Sequence, residues 1–170
     1  MRYFINYSLS NGLGNPSVSL FFKGCDKPNK CSGCHNPELK NIDKSKIDIE
    51  ELKKEISSFI EKSKNFSDKR YVSFLGGEPL SKYNREYLLK ISRFIKESYK
   101  EIETVIYTWR SLDEIDRRYT KYIDYGVLGE YKEELHQDNM IPGSKNQVIY
   151  DFNDMKEIEH IKLGGQTYEI

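Results

Sequence analysis

Residues 18–39 read VSLFFKGCDKPNKCSGCHNPEL, a short apolar run followed by a loop that carries every cysteine of the chain. The run at 18–22 is typical of a buried strand, and the loop after it is predicted to cover residues 23–41. Its cysteines, Cys25, Cys31 and Cys34, lie within ten positions of one another. An odd number of cysteines this close together is a poor disulfide framework and is more typical of a metal-binding loop.

The cysteine spacing leaves three kinds of metal site open: an iron–sulfur cluster, a structural zinc site and a haem-attachment site. Thiolates suit both zinc and iron–sulfur clusters, and three of them would leave one iron of a [4Fe–4S] cluster with an open coordination position. A structural zinc site would need His35 or another residue as the fourth ligand, and a second ligand pair at zinc-ribbon spacing is missing. The segment Cys31–His35 also matches the C-x-x-C-H pattern of haem attachment, which leaves Cys25 unexplained. We favour the cluster.

Strand and helix signals alternate along the rest of the chain. A helix is predicted to begin near Asp48, whose spacing to Glu51 resembles a capping box. The remaining predicted elements are, in chain order, a strand at 71–75, a helix at 84–99, a strand at 104–108, a short helix capped by Ser111 and Glu114, and strands at 122–128 and 147–152, with the last four residues, TYEI, a candidate for one more. This alternation predicts an α/β protein with about five or six mostly parallel strands.

The turn Gly76-Gly77-Glu78-Pro79 directly follows the predicted strand at 71–75. Ligands of open α/β sheets bind outside the carboxyl ends of the strands, so we expect this turn and the cysteine loop to form one site. Glycines would let the backbone approach a ligand closely. The end of the next strand, at Tyr107, Thr108 and Trp109, is expected to line the same cavity.

Four segments in a fixed order, together spanning about residues 11–149, resemble those of a known superfamily. They are NGLG at 11–14, the cysteine segment FFKGC…CSGCHNPEL, FLGGEPL at 74–80, and GSKNQ at 143–147. The chain thereby resembles the radical S-adenosylmethionine (SAM) superfamily, most closely the activating proteins of anaerobic (class III) ribonucleotide reductase. It departs from the usual C-x3-C-x2-C spacing by two extra residues within 26–30, and it has Asn15 or Pro16 where many relatives carry Arg.

The resemblance implies a single radical SAM domain over residues 1–170, folded as a partial, open (β/α) barrel. It implies SAM cleavage by a [4Fe–4S] cluster on Cys25, Cys31 and Cys34, and a glycyl radical installed on a partner, expected to be anaerobic ribonucleoside-triphosphate reductase. A flavodoxin- or ferredoxin-type protein would supply the electron, and no side chain is assigned as a catalytic acid or base. The residues expected to contact SAM are Gly33, Cys34, His35, Gly76, Gly77, Glu78, Thr108, Ser144 and Asn146.

Two alternatives of other classes remain. Radical SAM enzymes acting on small molecules, such as the 7-carboxy-7-deazaguanine synthases, share the glycine turn and GGEP, but typically follow the last cysteine with Asp-Thr where this chain has His35-Asn36. A zinc-bound interaction module is the non-enzymatic alternative.

Composition sets further expectations. Lys plus Arg and Asp plus Glu are balanced at 27 each, which gives no general attraction to nucleic acid or anionic membranes. No stretch approaches the about 18 apolar residues of a membrane span, so we expect a cytoplasmic protein. Gly12 and Gly14 lack the pattern of a phosphate-binding loop and are expected to form a turn near the cluster.

Overall fold

A computed structural model describes residues 2–164, which contain nine β-strands and two α-helices. The strands are, in chain order, β1 (Tyr3–Gly12), β2 (Asn15–Phe22), β3 (Arg70–Gly76), β4 (Ile102–Thr108), β5 (Tyr125–Leu128), β6 (Met140–Ile141), β7 (Val148–Asp151), β8 (Lys156–Ile158) and β9 (Ile161–Lys162). The helices are α1 (Ile49–Lys62) and α2 (Arg85–Ser98). The α/β class is confirmed; the candidate strand TYEI lies outside the described residues.

Both helices begin and pack as their sequences predict. The Asp48 carboxylate accepts hydrogen bonds from the backbone N–H groups of Glu50 and Glu51, at 3.0 and 3.2 Å, and so caps α1. Apolar side chains at helical spacing are fully buried on one face of each helix: Leu52, Ile56 and Ile60 on α1, and Leu88, Ile91 and Ile95 on α2. These faces join Val18, Val72 and Ile106 of the sheet in the main hydrophobic core.

Seven strands form one sheet in the order β1-β2-β3-β4-β5-β7-β8. The four central strands, β2 to β5, are parallel, as predicted. The expectation of five or six mostly parallel strands is wrong at the edges of this sheet. There β1, β7 and β8 pair antiparallel, so only half of the strand pairings in the sheet are parallel. A tight turn joins β1 to β2, and the link from β5 to β7 contains no α-helix in the described chain, whereas a parallel pair needs a crossover connection.

The two faces of the sheet are covered differently. Successive residues of a strand point to opposite faces, so Val105, Val127 and Ile149 lie on the face away from the main core and form a second cluster. In the described residues this face carries no α-helix; the partners of these side chains include Leu13 and Ile141. Within residues 2–164 the sheet keeps β1 and β8 as two separate edges.

The Gly12–Gly14 turn lies far from where the sequence suggested. It joins β1 to the start of β2, whereas the cysteine loop leaves the other end of β2 after Phe22. The expected position near the cluster is therefore wrong, because the whole strand β2 separates the two.

Among the described residues, neither helix combines the length and apolar character that crossing a membrane requires.

Candidate functional site

The candidate site is a cavity of about 140 Å³ at the carboxyl ends of the parallel strands. Four segments meet there, one at or just beyond the end of each of β2, β3, β4 and β5. They are the cysteine loop, the Gly76–Gly77–Glu78 turn, the stretch Thr108–Trp109, and Gly129. The convergence expected from the sequence follows from the parallel pairing, since parallel strands bring their carboxyl ends to one edge.

All three cysteines line this cavity as free thiols. Cys25 is buried, while Cys31 and Cys34 are half-buried. Burial raises the pKa of the Cys25 and Cys31 thiols, because it disfavours the charged thiolate. Among the described residues no three His, Cys, Asp or Glu side chains are grouped as ligands of a single metal ion. Three thiols around one partly enclosed space are soft donors of the kind that an iron–sulfur cluster takes.

Backbone hydrogen bonds hold both ends of the cysteine loop together. The Gly24 N–H donates to the Leu39 carbonyl at 2.8 Å, and the Cys25 N–H donates to the Lys40 carbonyl at 3.1 Å. The Asn84 side-chain amide, fully buried before α2, donates to the Lys23 carbonyl at 3.1 Å. The loop is therefore fastened next to Cys25 by protein contacts alone.

Gly76 can only be glycine at this position. Its φ is +120°, a conformation that L side chains rarely adopt, and an added Cβ would lie 2.1 Å from the Phe22 carbonyl oxygen. The Gly77 N–H donates to that same carbonyl at 2.8 Å. The turn after β3 is thus built against the end of β2, where the cysteine loop begins.

Glu78 is 1% exposed and lies at the centre of the turn. One carboxylate oxygen accepts hydrogen bonds from the Leu80 N–H and the Thr108 hydroxyl, both at 2.8 Å, and the other accepts from the Trp109 N–H at 3.2 Å. Burial raises the pKa of Glu78 to about 7, although the Arg110 guanidinium and these hydrogen bonds favour the charged form. Both oxygens thus already have protein partners, which indicates that Glu78 stabilises the turn in addition to lining the cavity.

The predicted site residues divide into two groups. Those lining the cavity are Cys25, Cys31, Cys34, Gly76, Gly77, Glu78 and Thr108. Four others, Gly33, His35, Ser144 and Asn146, are not among the residues that line it.

These four have contacts of their own. Ser144 is fully buried and donates to the Gln147 side-chain carbonyl at 2.9 Å, while the Asn146 amide donates to the Glu130 carbonyl at 2.8 Å. The exposed His35 ring packs on Tyr131 with ring centroids 4.7 Å apart, and a Cβ on Gly33 would contact Glu133. Ser144 and Asn146 therefore shape the loop that leads into β7.

Sequence reasoning gave no role to several side chains that line the cavity, among them Lys30, Lys40, Val127 and Tyr131. The position of the two lysines in the cavity wall could have been inferred from the sequence, since Lys30 lies between two of the cysteines and Lys40 follows them in the same loop. Val127 and Tyr131 had no such signal, because only the pairing of β5 with β4 brings them to this edge.

Comparison with known proteins agrees with this site. The family described as "4Fe-4S single cluster domain" matches residues 10–150. The anaerobic ribonucleoside-triphosphate reductase-activating protein of enterobacteria phage T4 is 28% identical over 141 residues, which cover 81% of this chain and 85% of that protein. Proteins of the same name from Haemophilus influenzae and Vibrio cholerae are each 26% identical, over 84% and 89% of this chain and 91% and 99% of their own lengths. No solved structure shows significant similarity.

These relatives confirm the resemblance to the activating proteins of anaerobic ribonucleotide reductase that the four sequence segments predicted. The family match spans most of the chain, including all three cysteines, the turn after β3 and the ends of β4 and β5. The chain belongs to the 4Fe-4S single cluster domain family.

Proposed function

We propose that this protein is a radical SAM activase that installs a glycyl radical on a partner enzyme, anaerobic ribonucleoside-triphosphate reductase. Cys25, Cys31 and Cys34 would hold the [4Fe–4S] cluster, and SAM would bind between the cysteine loop and the Gly76–Glu78 turn. The observation that carries this proposal is that all three thiols and both glycines of the turn line one cavity. The names of the relatives support the activase role and the identity of the partner.

The number of thiols supports reactive rather than purely electron-carrying chemistry. A [4Fe–4S] cluster that only carries electrons normally has four protein ligands, and this chain has three cysteines. When bound and reduced, the cluster would supply the electron that cleaves SAM into methionine and a 5′-deoxyadenosyl radical. That radical would take a hydrogen atom from the Cα of one partner glycine, breaking a C–H bond there and forming one at C5′.

The residues around the thiols fit the tasks left to the protein. The backbone of Gly76 and Gly77 lines the cavity, where it would lie beside the methionyl end of SAM. Tyr107 and Val127 form an apolar wall on the helix-free face, which would keep water and other hydrogen donors away from the radical. The Tyr107 ring is held in place because its hydroxyl donates to the Asn11 carbonyl at 2.9 Å.

The open edges of the sheet support a macromolecular substrate. Within the described residues β1 and β8 remain two separate edges, so the sheet does not close around the cavity. We propose that residues 1–170 form one domain whose helix-free face is the inner side of a partial, open barrel. Docking of the partner would complete the enclosure and bring its glycine within the about 3–3.5 Å that reaction requires.

The test uses the full chain, reconstituted anaerobically with iron and sulfide and reduced by a flavodoxin- or ferredoxin-type donor. With SAM and the reductase we expect 5′-deoxyadenosine to form and a glycyl-radical doublet to arise in the EPR spectrum of the reductase. A Cys34→Ala variant should give neither. Efficient turnover of a small substrate such as 6-carboxytetrahydropterin without the reductase would transfer the function to the small-molecule class. Zinc binding without an iron–sulfur chromophore would favour an interaction module.

A further inference from the structure

The gap between the first two cysteines is fastened to the rest of the site by one arginine. Arg110, just beyond β4, donates from Nη2 to both carboxylate oxygens of Asp26, at 3.0 and 2.9 Å. Both side chains are largely buried, with exposed fractions of 15% and 20%. Asp26 directly follows Cys25, so this ion pair holds the backbone next to a thiol over a separation of 84 residues.

The same guanidinium also contacts the turn after β3. Its Nη1 lies 3.2 Å from one carboxylate oxygen of Glu78. This nitrogen makes no hydrogen bond within the described residues, so the contact with Glu78 is one of charge. Arg110 is thus shared by two carboxylates, one from the cysteine loop and one from the turn.

The arrangement is held from a second side. The Arg110 guanidinium stacks on the Trp109 ring with 4.5 Å to the ring centroid, and the Lys27 ammonium lies 5.9 Å from the same centroid. Lys27 also pairs with Glu130 beyond β5, at 2.9 Å. Two consecutive residues after Cys25 are therefore tied to the ends of two different strands.

Without the guanidinium, Asp26 and Glu78 would each lose a charged partner in a poorly solvated place, since Glu78 is 1% exposed and Asp26 largely buried. Glu78 would stay in place, because three other hydrogen bonds hold it. We therefore expect the cysteine loop to move, so that the Asp26 carboxylate reaches water.

We propose that Arg110 is a positioning residue: by binding Asp26 and Glu78 together, it fixes Cys25 beside the Gly76–Glu78 turn before any iron is bound. This rests on the proposed function only for the assignment of Cys25 as an iron ligand. Arg110 does not itself line the cavity in the described chain, so its action is through the loop.

The test compares Asp26→Asn, Arg110→Lys and the double variant with the original protein. Arg110→Lys keeps the charge but replaces the guanidinium, whose two terminal nitrogens contact Asp26 and Glu78, with a single ammonium group. Asp26→Asn leaves the pairing of Arg110 with Glu78 intact. The control is Arg118→Lys, because Arg118 pairs with Asp116 at 3.2 Å in an exposed place, 65% and 54% accessible. Two quantities are measured without SAM or reductase: backbone hydrogen exchange of residues 23–31 in the metal-free chain, and the rate of iron release from the loaded protein to a chelator.

We expect each single variant to speed both loop exchange and iron release by roughly tenfold, the kinetic equivalent of losing one well-made charge-assisted contact. The double variant should add little to the larger single effect, because both changes remove the same contact. Exchange in β3 and β4 should stay unchanged, which shows that the fold is intact, and Arg118→Lys should behave like the original.

Loop exchange and iron release that match the original protein in both single variants would overturn the proposal, as would effects of the two substitutions that simply add. If the variants behave as expected but the original protein, loaded with iron, fails to cleave SAM, the result would count against the proposed function and leave the positioning role of Arg110 standing.

Discussion

A Cβ atom on Gly77 would lie 2.5 Å from the carbonyl carbon and the carbonyl oxygen of Gly24, so these two glycines pack backbone against backbone. The same Cβ would lie 2.6 Å from the Leu39 carbonyl oxygen. Gly24 and Leu39 are themselves joined by a backbone hydrogen bond at the two ends of the cysteine loop. The turn after β3 is therefore the surface on which the cysteine loop closes, in addition to being a wall of the cavity.

Gly77→Ala should therefore impair assembly of the cluster itself. The added methyl group meets the backbone carbonyls of Gly24 and Leu39, and its three nearest atoms belong to no flexible side chain, so the cysteine loop must move. We expect iron bound after anaerobic reconstitution to fall to about half or less. Gly164→Ala is the matched control, because an added Cβ there has no neighbour within 4 Å. Normal iron content in Gly77→Ala together with a lost response to SAM would instead assign Gly77 to the SAM pocket alone.

Replacing any one of the three cysteines with alanine should remove most of the iron and the broad visible absorption of the cluster. Two thiolates cannot hold a cluster that normally has three or four ligands, and the sequence contains no spare cysteine. Ser32→Ala is a suitable control inside the same loop, since its hydroxyl donates to Glu133 at 2.9 Å in an exposed place. A full cluster in Cys25→Ala would mean that Cys25 is not a ligand.

Glu78 should make the stability of the metal-free chain depend on pH. Burial raises its pKa from the ordinary 4.5 to about 7. The folded protein then holds the proton more tightly than the unfolded chain, so this contribution is fully present below the ordinary pKa and is lost as pH rises to about 7. The loss corresponds to roughly 3 kcal/mol of unfolding free energy.

Urea unfolding of the original chain and of Glu78→Gln, at several pH values across this interval, isolates that contribution. The difference in unfolding free energy between the two proteins should shift against the original as pH rises. Parallel pH profiles would show that Glu78 ionises in the folded chain as it does in the unfolded one.

Lys30 should make the cluster easier to reduce. Its ammonium donates to the carbonyls of Cys25 and Lys27, and it lines the cavity together with the thiols. A nearby positive charge stabilises the more negative, reduced state of an iron–sulfur cluster. We expect Lys30→Met to move the reduction potential to a more negative value. Lys53→Met on α1, where Lys53 pairs with Glu50 at the surface, should leave it unchanged; an unaltered potential in Lys30→Met would contradict this role.

Local patterns predicted most of the elements that build the site. Period and capping located both helices, and apolar runs located β2 to β5, whose carboxyl ends converge because they are parallel. β1 was missed, since its polar residues conceal the alternation of a strand that lies at the edge of the sheet. The antiparallel direction of β7 depends on the connection from β5, which contains no α-helix in the described residues. No periodic pattern of apolar residues predicts a connection of that kind.

Sequence reasoning predicted which segments meet at the site, but not which side chains of those segments pair. Asp26 and Arg110 are 84 residues apart and belong to no common motif, so their pairing depends on the order of β2, β3 and β4 in the sheet. The burial of Glu78 likewise depends on the order of the strands, because its partners Thr108 and Trp109 lie at the end of another strand. Sequence reasoning could name the glutamate, but the contacts that settle its surroundings exist only in the folded chain.

The order of strands in the main sheet is also their order along the chain, with β6 and β9 set apart as a separate pair. As the protein is synthesised from its N-terminus, each new strand of that sheet can therefore join the edge left by the previous one, and none has to insert between two that are already paired. The thiols are complete by residue 34, whereas Gly129 and Gln147 of the cavity wall follow about a hundred residues later. A growing chain thus carries its thiols unprotected while about a hundred further residues are added, and only the later strands of the sheet enclose them.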